Sequence, residues 1–316
     1  MQKFNISYIK EKGCLNVPYS INISLTERCY LACPFCFKDP QYSAELELDQ
    51  VLGYLREMGS MGVKCVQFSG GEPLLYPHLI TVIKYAKTQH LFTRISSSGW
   101  GLDEDYVVRL KKAGIDVIHI SLNGSKAVIH EKTRDAFDVS LAAIEMLVKN
   151  NIEVVVNWVA NHSNIDDLPN MIQLAKRYKI KKICILSNKN NYKGERFFPL
   201  EKKELIALCE MYKDNKQYLD IEGCYYELNK IVNNKKNLSI SDGCRGGRFY
   251  MAISARNEFS PCPHFTGRDG YKSIKDYWGG DSKLMNIRET YNHITESECL
   301  IREMNCIKQE RSESNE

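Results

Sequence analysis

No apolar run in the 316 residues is long enough to cross a bilayer, which excludes membrane-spanning helices. The opening "MQKFNISYIKEKGC" also lacks the apolar stretch of a secretory signal. The expected location is therefore cytoplasmic, with no membrane partner. Net charge is scarce as well, since 43 basic residues against 39 acidic ones leave a formal +4. The Lys-rich stretches "KIKKI" and "NNKKN" are short, read as solvated surface, and give no reason to expect a nucleic-acid partner. A low-hydrophobicity, high-charge composition of the disordered kind is absent too: 43% of residues are hydrophobic and 26% charged, as in soluble globular chains.

Cysteine, by contrast, is plentiful at twelve. Disulfides are disfavoured in a reducing compartment, so this load points to metal or thiol chemistry. Cys65 in "VKCVQF" and Cys184 in "KICIL" sit in β-like apolar runs and Cys209 in "ALCEMY" in a helical one, which makes these three core residues. Cys14, isolated in the leading arm, carries no pattern. The remaining thiols form an opening triplet, Cys29, Cys33 and Cys36, and a later group, Cys224, Cys244, Cys262, Cys299 and Cys306.

Residues 20 to about 215 alternate short apolar strands with amphipathic helices. Strands are predicted at "SINISL" (20–25), "VKCVQF" (63–68), "FTRISS" (92–97), "DVIHIS" (116–121), "EVVVNWV" (153–159) and "KICILS" (182–187). This order predicts an α/β fold with a parallel sheet, a partial (β/α)6 TIM-like barrel, whose ligands gather where strands end and βα loops begin. An N-terminal arm (1–19) precedes the barrel (20–215), and a C-terminal unit (216–316) with a polar tail follows it.

The triplet lies in the loop after the first strand, "TERCYLACPFCF", at the mouth of that barrel. A structural zinc site uses four protein ligands, and no fourth lies beside these three. Three thiolates suit a [4Fe–4S] cluster with one open iron. With Phe35 included, the pattern Cys-x3-Cys-x-aromatic-Cys resembles the radical S-adenosylmethionine (radical SAM) superfamily. The resemblance implies that the open iron binds the amino and carboxylate groups of SAM, with Phe35 near the adenine. It further implies that Gly70, Gly71 and Glu72 of "SGGEPLL" serve the methionyl amino group, glycine allowing a ligand to approach closely. Ser97 and Ser98 of "SSSG" resemble the ribose-binding position, although Ser98 stands where the family commonly has Asn. Ser121 and Asn123 of "SLNGS" would present polar groups to the same mouth, and Arg134 would reach the SAM carboxylate. Ser and Asn at strand ends also make turns and caps, which leaves a purely structural role open for them.

Beyond residue 215 the alternation stops. "GCRGGRFYMAISARNEFSPCPHF" (243–265) reads as a β-hairpin turning at "ARNEF", with Asn257 able to take a left-handed conformation. Cys244 and Cys262 would meet at its two ends, and Cys299 and Cys306 follow in a helical context. The arrangement resembles the Twitch relative of the SPASM auxiliary-cluster domain, giving a small C-terminal hairpin-plus-helix iron–sulfur domain. It implies one auxiliary [4Fe–4S] cluster on Cys244, Cys262, Cys299 and Cys306. Structural zinc is the alternative, and Cys224 competes for the fourth place.

Relatives with such a domain commonly modify ribosomally made peptides, so the expected activity is hydrogen abstraction from a peptide, leading to epimerisation or crosslinking. An external electron donor such as flavodoxin or ferredoxin is implied. A sugar or alcohol dehydrogenase and a non-catalytic iron–sulfur electron carrier are the alternatives, the latter having no use for a SAM site. The branch that rearranges nucleotides in molybdopterin synthesis ends in an arginine- and glycine-rich tail, unlike "IKQERSESNE". About twenty residues before the barrel leave no room for a leader-peptide-binding domain of ordinary size. Cys224, after the strand-like "YLDIEG", is a candidate hydrogen-atom donor to a substrate radical, as in peptide epimerases of the superfamily; a spare core thiol and a cluster ligand are its other readings. Tyr225 and Tyr226 beside it would line the substrate channel, re-reduce a thiyl radical or simply pack.

Overall fold

The computed structural model describes residues 14–225, 228, 232, 244–265, 267 and 269–293. Cys299, Cys306 and Tyr226 lie outside the described residues. No described helix is long and apolar enough to cross a membrane.

The predicted strands form where the apolar runs placed them: β1 (Ser20–Thr26), β2 (Cys65–Gly70), β3 (Phe92–Ser97), β4 (Val117–Ser121), β5 (Glu153–Val159) and β6 (Lys182–Leu186). "YLDIEG" supplies a seventh, β7 (Leu219–Ile221). Helices α1 (Leu48–Met61), α2 (Leu79–Thr88), α3 (Glu104–Ala113), α4 (Ala127–His130), α5 (Phe137–Lys149), α6 (Leu168–Arg177) and α7 (Lys202–Asp214) occupy the connections. Local chemistry sets their ends. Glu47 and Gln50 close a capping box on α1, and Gly62, left-handed at φ 82°, stops it. Asp103 accepts a bond from Tyr106 N–H to start α3.

The hairpin forms as β8 (Tyr250–Ile253) and β9 (Phe259–Ser260), and Asn257 at its turn takes φ 64°. Its placement adds to the sequence reading. β8 pairs in parallel with β1, so the sheet runs β7-β6-β5-β4-β3-β2-β1-β8-β9 and carries the hairpin as its own extension. Every neighbouring pair is parallel except β8 with β9. The Tyr54 hydroxyl on α1 bonds the Asn257 side chain, fixing the hairpin tip. Glu57, also on α1, accepts from Ile274 and Lys275 N–H at the start of α8 (Ile274–Gly280), where a carboxylate complements the helix dipole. Helix α9 (Ser282–His293) follows, and Arg288 on it donates to the carbonyls of Gly247 (2.9 Å) and Trp278 (2.8 Å).

The sheet is open yet strongly curled, because residues at opposite ends of the strand order touch. Cys224, just after β7, lies 3.2 Å from the Tyr250 hydroxyl on β8. Tyr192, after β6, donates its N–H to Cys36 O in the loop after β1. The apolar core lies between the outer face of the sheet and the helices, joining Ile21, Ile23, Phe68, Ile120, Val156, Trp158 and Ile183 to helix residues such as Leu55, Ile83, Leu110 and Ile144. Alternate strand residues on the inner face are largely polar and bond one another, Asn22 with Ser69, Gln67 with Ser96 and His119 with Asn157. Cys65 and Cys209 are buried as expected, whereas Cys184 is only partly so.

One polar knot on this frame has a pH signature. Asp116, entering β4, accepts from Lys87 Nζ (2.6 Å), Thr93 N–H (2.7 Å) and Thr93 Oγ1 (2.9 Å). Burial pushes this carboxyl up, but those three bonds outweigh it and hold it below the ordinary range. The stability it contributes is present above the unfolded pKa and is lost as pH falls through the folded one. Replacing Asp116 with Asn is expected to cost about 1 kcal/mol at neutral pH. It should also flatten the decline of melting temperature below about pH 4; an acid limb identical to wild type in a pH series of thermal melts would contradict this.

Candidate active site at the mouth of the sheet

The cysteine loop is seated by the end of β2. Gly71 N–H donates to Thr26 O (2.7 Å) and Glu72 N–H to Arg28 O (2.8 Å). A Cβ on Gly71 would stand 2.2 Å from Arg28 O and 2.4 Å from Glu27 O, and one on Gly70 would stand 2.4 Å from Thr26 O. Only glycine tolerates this crowding. The close approach that the sequence suggested for a ligand is thus made by the chain itself, at the entry to the cysteine loop.

Cys36 N–H closes a turn onto Cys33 O at 3.0 Å, and Leu31 N–H points to Cys29 Sγ at 3.4 Å. Burial pushes the Cys33 thiol up, while the Arg134 guanidinium pulls it back toward ionisation. From the opposite side the β6–α7 loop clasps this turn: Asn191 Nδ2 donates to Pro34 O (3.0 Å) and Tyr192 N–H to Cys36 O (3.1 Å). Asn191 is itself fixed, its Oδ1 accepting from Lys193 and Glu195 N–H. Nothing but a turn-forming Asn was visible there in the sequence. Among the described residues no three His, Cys, Asp or Glu side chains gather on a single ion position.

Glu72 is 1% exposed and accepts four bonds, from Ser97 Oγ (2.7 Å), Ser98 Oγ (2.6 Å), Ser98 N–H (2.8 Å) and Leu74 N–H (3.2 Å). Burial raises its carboxyl, and these donors offset the rise in part. The two hydroxyls expected at a ribose are turned inward to Glu72 and also accept N–H bonds from Gly99 and Trp100. Asn123 is similarly committed. Its N–H meets His130 Nδ1, its Nδ2 meets Thr133 Oγ1, its Oδ1 accepts from Val159 N–H and its carbonyl accepts from Asn164 Nδ2. Burial, with Arg134 beside it, pushes His130 down to about 4, so the ring is neutral and Nδ1 can accept. Ser121 closes β4 opposite Asn157 of β5.

Arg134 differs from these. Its guanidinium lies 5.4 Å from the centroid of the Phe35 ring, and its Nε is buried without a hydrogen-bond partner among the described residues. A buried guanidinium donor left unserved by the protein fits an acceptor that arrives with a ligand, and a carboxylate suits it best. Arg134, beside the Phe35 ring and the cysteine turn, thus offers the donor that a carboxylate such as that of SAM would need.

A second group forms where the hairpin meets β7. Cys244 and Cys262 are buried together against Phe265, with Tyr250 packed beside them. Cys224 joins the group through Tyr250. Burial drives the Tyr250 hydroxyl well above its ordinary range, and the nearby thiols add to the rise. Tyr225 is buried in the core, in line with its packing reading, and the Tyr250 hydroxyl lies beside Cys224. Lys189 pairs with Glu222 at 2.9 and 3.1 Å in the same area. Burial opposes its charge, but Glu222 prevails and keeps the ammonium protonated.

Residues 23–175 match the family model of the Radical SAM superfamily, and this part of the chain is a radical SAM domain. The class is that of radical SAM enzymes, which use a [4Fe–4S] cluster and SAM. The AdoMet-dependent heme synthase of Methanosarcina barkeri (strain Fusaro / DSM 804) is 24% identical over 301 residues, covering 87% of this chain and 86% of that protein. The Fe-coproporphyrin III synthase of the same organism is 29% identical over 242 residues, which cover 74% of this chain but only 58% of that longer protein. Among solved structures, SuiB of Streptococcus suis bound to SAM superposes with a TM-score of 0.76 at 18% identity, covering 89% of this chain and 70% of that one. Native anSMEcpe with bound AdoMet and Cp18Cys peptide gives 0.69 at 17% identity, covering 88% and 84%. At these identities the likeness to the solved structures is one of fold.

The seat of the loop can be tested directly. Gly71→Ala must displace the loop backbone and is expected to reduce SAM binding sharply, measured by equilibrium dialysis. Glu72→Gln replaces an acceptor oxygen with an amide and leaves one or two donors unpaired, at about 1–3 kcal/mol in urea unfolding; a stability equal to wild type would contradict the network.

Proposed function

We propose that this radical SAM enzyme removes a hydrogen atom from a ribosomally synthesised peptide, with epimerisation or crosslinking as the outcome. Cys29, Cys33 and Cys36 hold the SAM-cleaving cluster, and Cys244, Cys262, Cys299 and Cys306 hold one auxiliary [4Fe–4S] cluster. When bound, cluster and SAM supply a 5′-deoxyadenosyl radical, given an electron from a donor such as flavodoxin or ferredoxin. Phe35 lies against the adenine, Arg134 meets the SAM carboxylate, and Gly70, Gly71 and Glu72 carry the strand end that faces the methionyl amino group. Ser97 and Ser98 act through Glu72, and Asn123, with His130, fixes the segment that presents Arg134. The unserved Arg134 Nε favours this reading over a plain electron carrier, which needs no anion site beside its cysteines.

The observation that supports the peptide reaction is the Cys224 thiol, 3.2 Å from the Tyr250 hydroxyl and partly buried beside the hairpin. There it can give its hydrogen to a carbon-centred substrate radical: the S–H bond breaks, a C–H bond forms, and the sulfur radical is restored by one electron from the donor and a proton. SuiB has been solved bound to the precursor peptide SuiA, which favours a peptide as the substrate of this fold. A second reading has its own support. The two Methanosarcina relatives are named for heme and Fe-coproporphyrin III synthesis, so a tetrapyrrole is the alternative substrate. A sugar or alcohol dehydrogenase lacks comparable support.

Replacing Cys29, Cys33 and Cys36 with Ala is expected to abolish 5′-deoxyadenosine formation while leaving about four irons per chain at the hairpin site. Cleavage retained by that variant would end the radical SAM assignment of the triplet. Cys224→Ala should still form 5′-deoxyadenosine but not the epimer, and wild type in heavy water should leave one deuteron in the product peptide. Epimerisation by the variant at the normal rate would remove Cys224 from the mechanism.

A further inference from the structure

Lys38 and His264 each follow a cysteine of the two groups by two residues, Cys36 and Cys262 respectively. Both lie beside the Phe37 ring at the seam between cysteine loop and hairpin, the Lys38 Nζ 5.8 Å from its centroid. The His264 ring packs on Phe37 with centroids 4.0 Å apart, next to Lys38 in the chain. Both are incompletely served. The Lys38 Nζ donates to Ser24 Oγ at 2.9 Å, and among the described residues no carboxylate lies within ion-pair distance of it. Glu27, the acid whose field reaches Lys38, is bonded to Arg256 at 3.1 Å. An ammonium carries three donors, and holding one away from bulk water without a counter-ion is unfavourable. His264 Nδ1 is buried with no hydrogen-bond partner among the described residues.

We propose that Lys38 and His264 together hold a carboxylate of the substrate. One oxygen meets the ammonium, and the other takes the proton that a neutral imidazole can carry on Nδ1. The inference rests on the reading above, that substrate enters between the two cysteine groups, and adds to it the chemical class that would be recognised. A peptide side chain or terminus and a tetrapyrrole propionate both supply this group.

The reconstituted enzyme separates the sources with two probe pairs: iron coproporphyrin III against its tetramethyl ester, followed by visible absorbance, and a fluorescein-labelled nonapeptide with a central Glu against its Gln counterpart, followed by anisotropy. At least one carboxylate probe is expected to bind about tenfold more tightly than its neutral partner, and which one does so names the source. Lys38→Met and His264→Phe, the second keeping the packing on Phe37, are expected to shrink that preference to about twofold or less, while Lys38→Arg retains it. Equal binding within both pairs overturns the proposal. So does a preference that survives Lys38→Met, which would assign the ammonium to the charge of the neighbouring thiolates instead. Formation of 5′-deoxyadenosine by wild type without any probe reports separately on the reading beneath it.

Discussion

The contact on which the site depends is a backbone one: Gly70 and Gly71 lying against Thr26, Glu27 and Arg28. Three carbonyls of the outgoing β1 loop occupy the space where side chains of residues 70 and 71 would begin. The entry to the cysteine loop is therefore fixed by the strand beside it, before any side chain of the loop makes a contact. The direction of Cys29, Cys33 and Cys36 is inherited from that seat. The second clasp, from Asn191 and Tyr192, bears on the far end of the loop at Pro34 and Cys36. A loop anchored at both ends by backbone atoms keeps its geometry while its thiols ionise.

Around this seat the buried polar groups divide into two kinds. Glu72, Ser97, Ser98, Asn123 and His130 satisfy one another and hold strand ends in register with the mouth. Arg134 Nε and His264 Nδ1 are buried without a hydrogen-bond partner among the described residues, and Lys38 Nζ, with no carboxylate beside it there, is bonded to Ser24. Protein interiors rarely leave such donors idle, because each forfeits hydration without a replacement. The first kind holds the strand ends together, and the second is where an acceptor arriving with a ligand would be welcome.

The sequence made the barrel strands and the cysteine triplet legible because both are local signals: a period of two in apolar runs, and a spacing of thiols within one loop. Asn257 was readable for the same reason, since a left-handed turn residue between two strand-like runs is a local demand, and it takes φ 64°. The docking of β8 on β1 was not legible, because a hairpin pattern specifies its own turn and says nothing of the strand it will join. The protein partners of Ser97 and Ser98 were obscured similarly. Their hydroxyls choose Glu72, a partner 25 and 26 residues away whose burial depends on the whole sheet. The contact of Cys224 with Tyr250, 26 residues on, was hidden by the same long-range geometry.

Where the sheet fails to close, β7 and β9 are its outer strands among the described residues, and side chains such as Cys224 and Tyr250 meet across the gap in place of a ladder of amide bonds. Widening elsewhere in the wall would break several parallel-strand hydrogen bonds at once. Along this seam it costs a few side-chain contacts. A slit opened along this seam, as well as at the top, would let a long polymer be laid in sideways without an end being threaded through. For such a substrate, the position of the reacting residue along its chain would be set by what grips it on either side of the slit, independent of distance from either terminus.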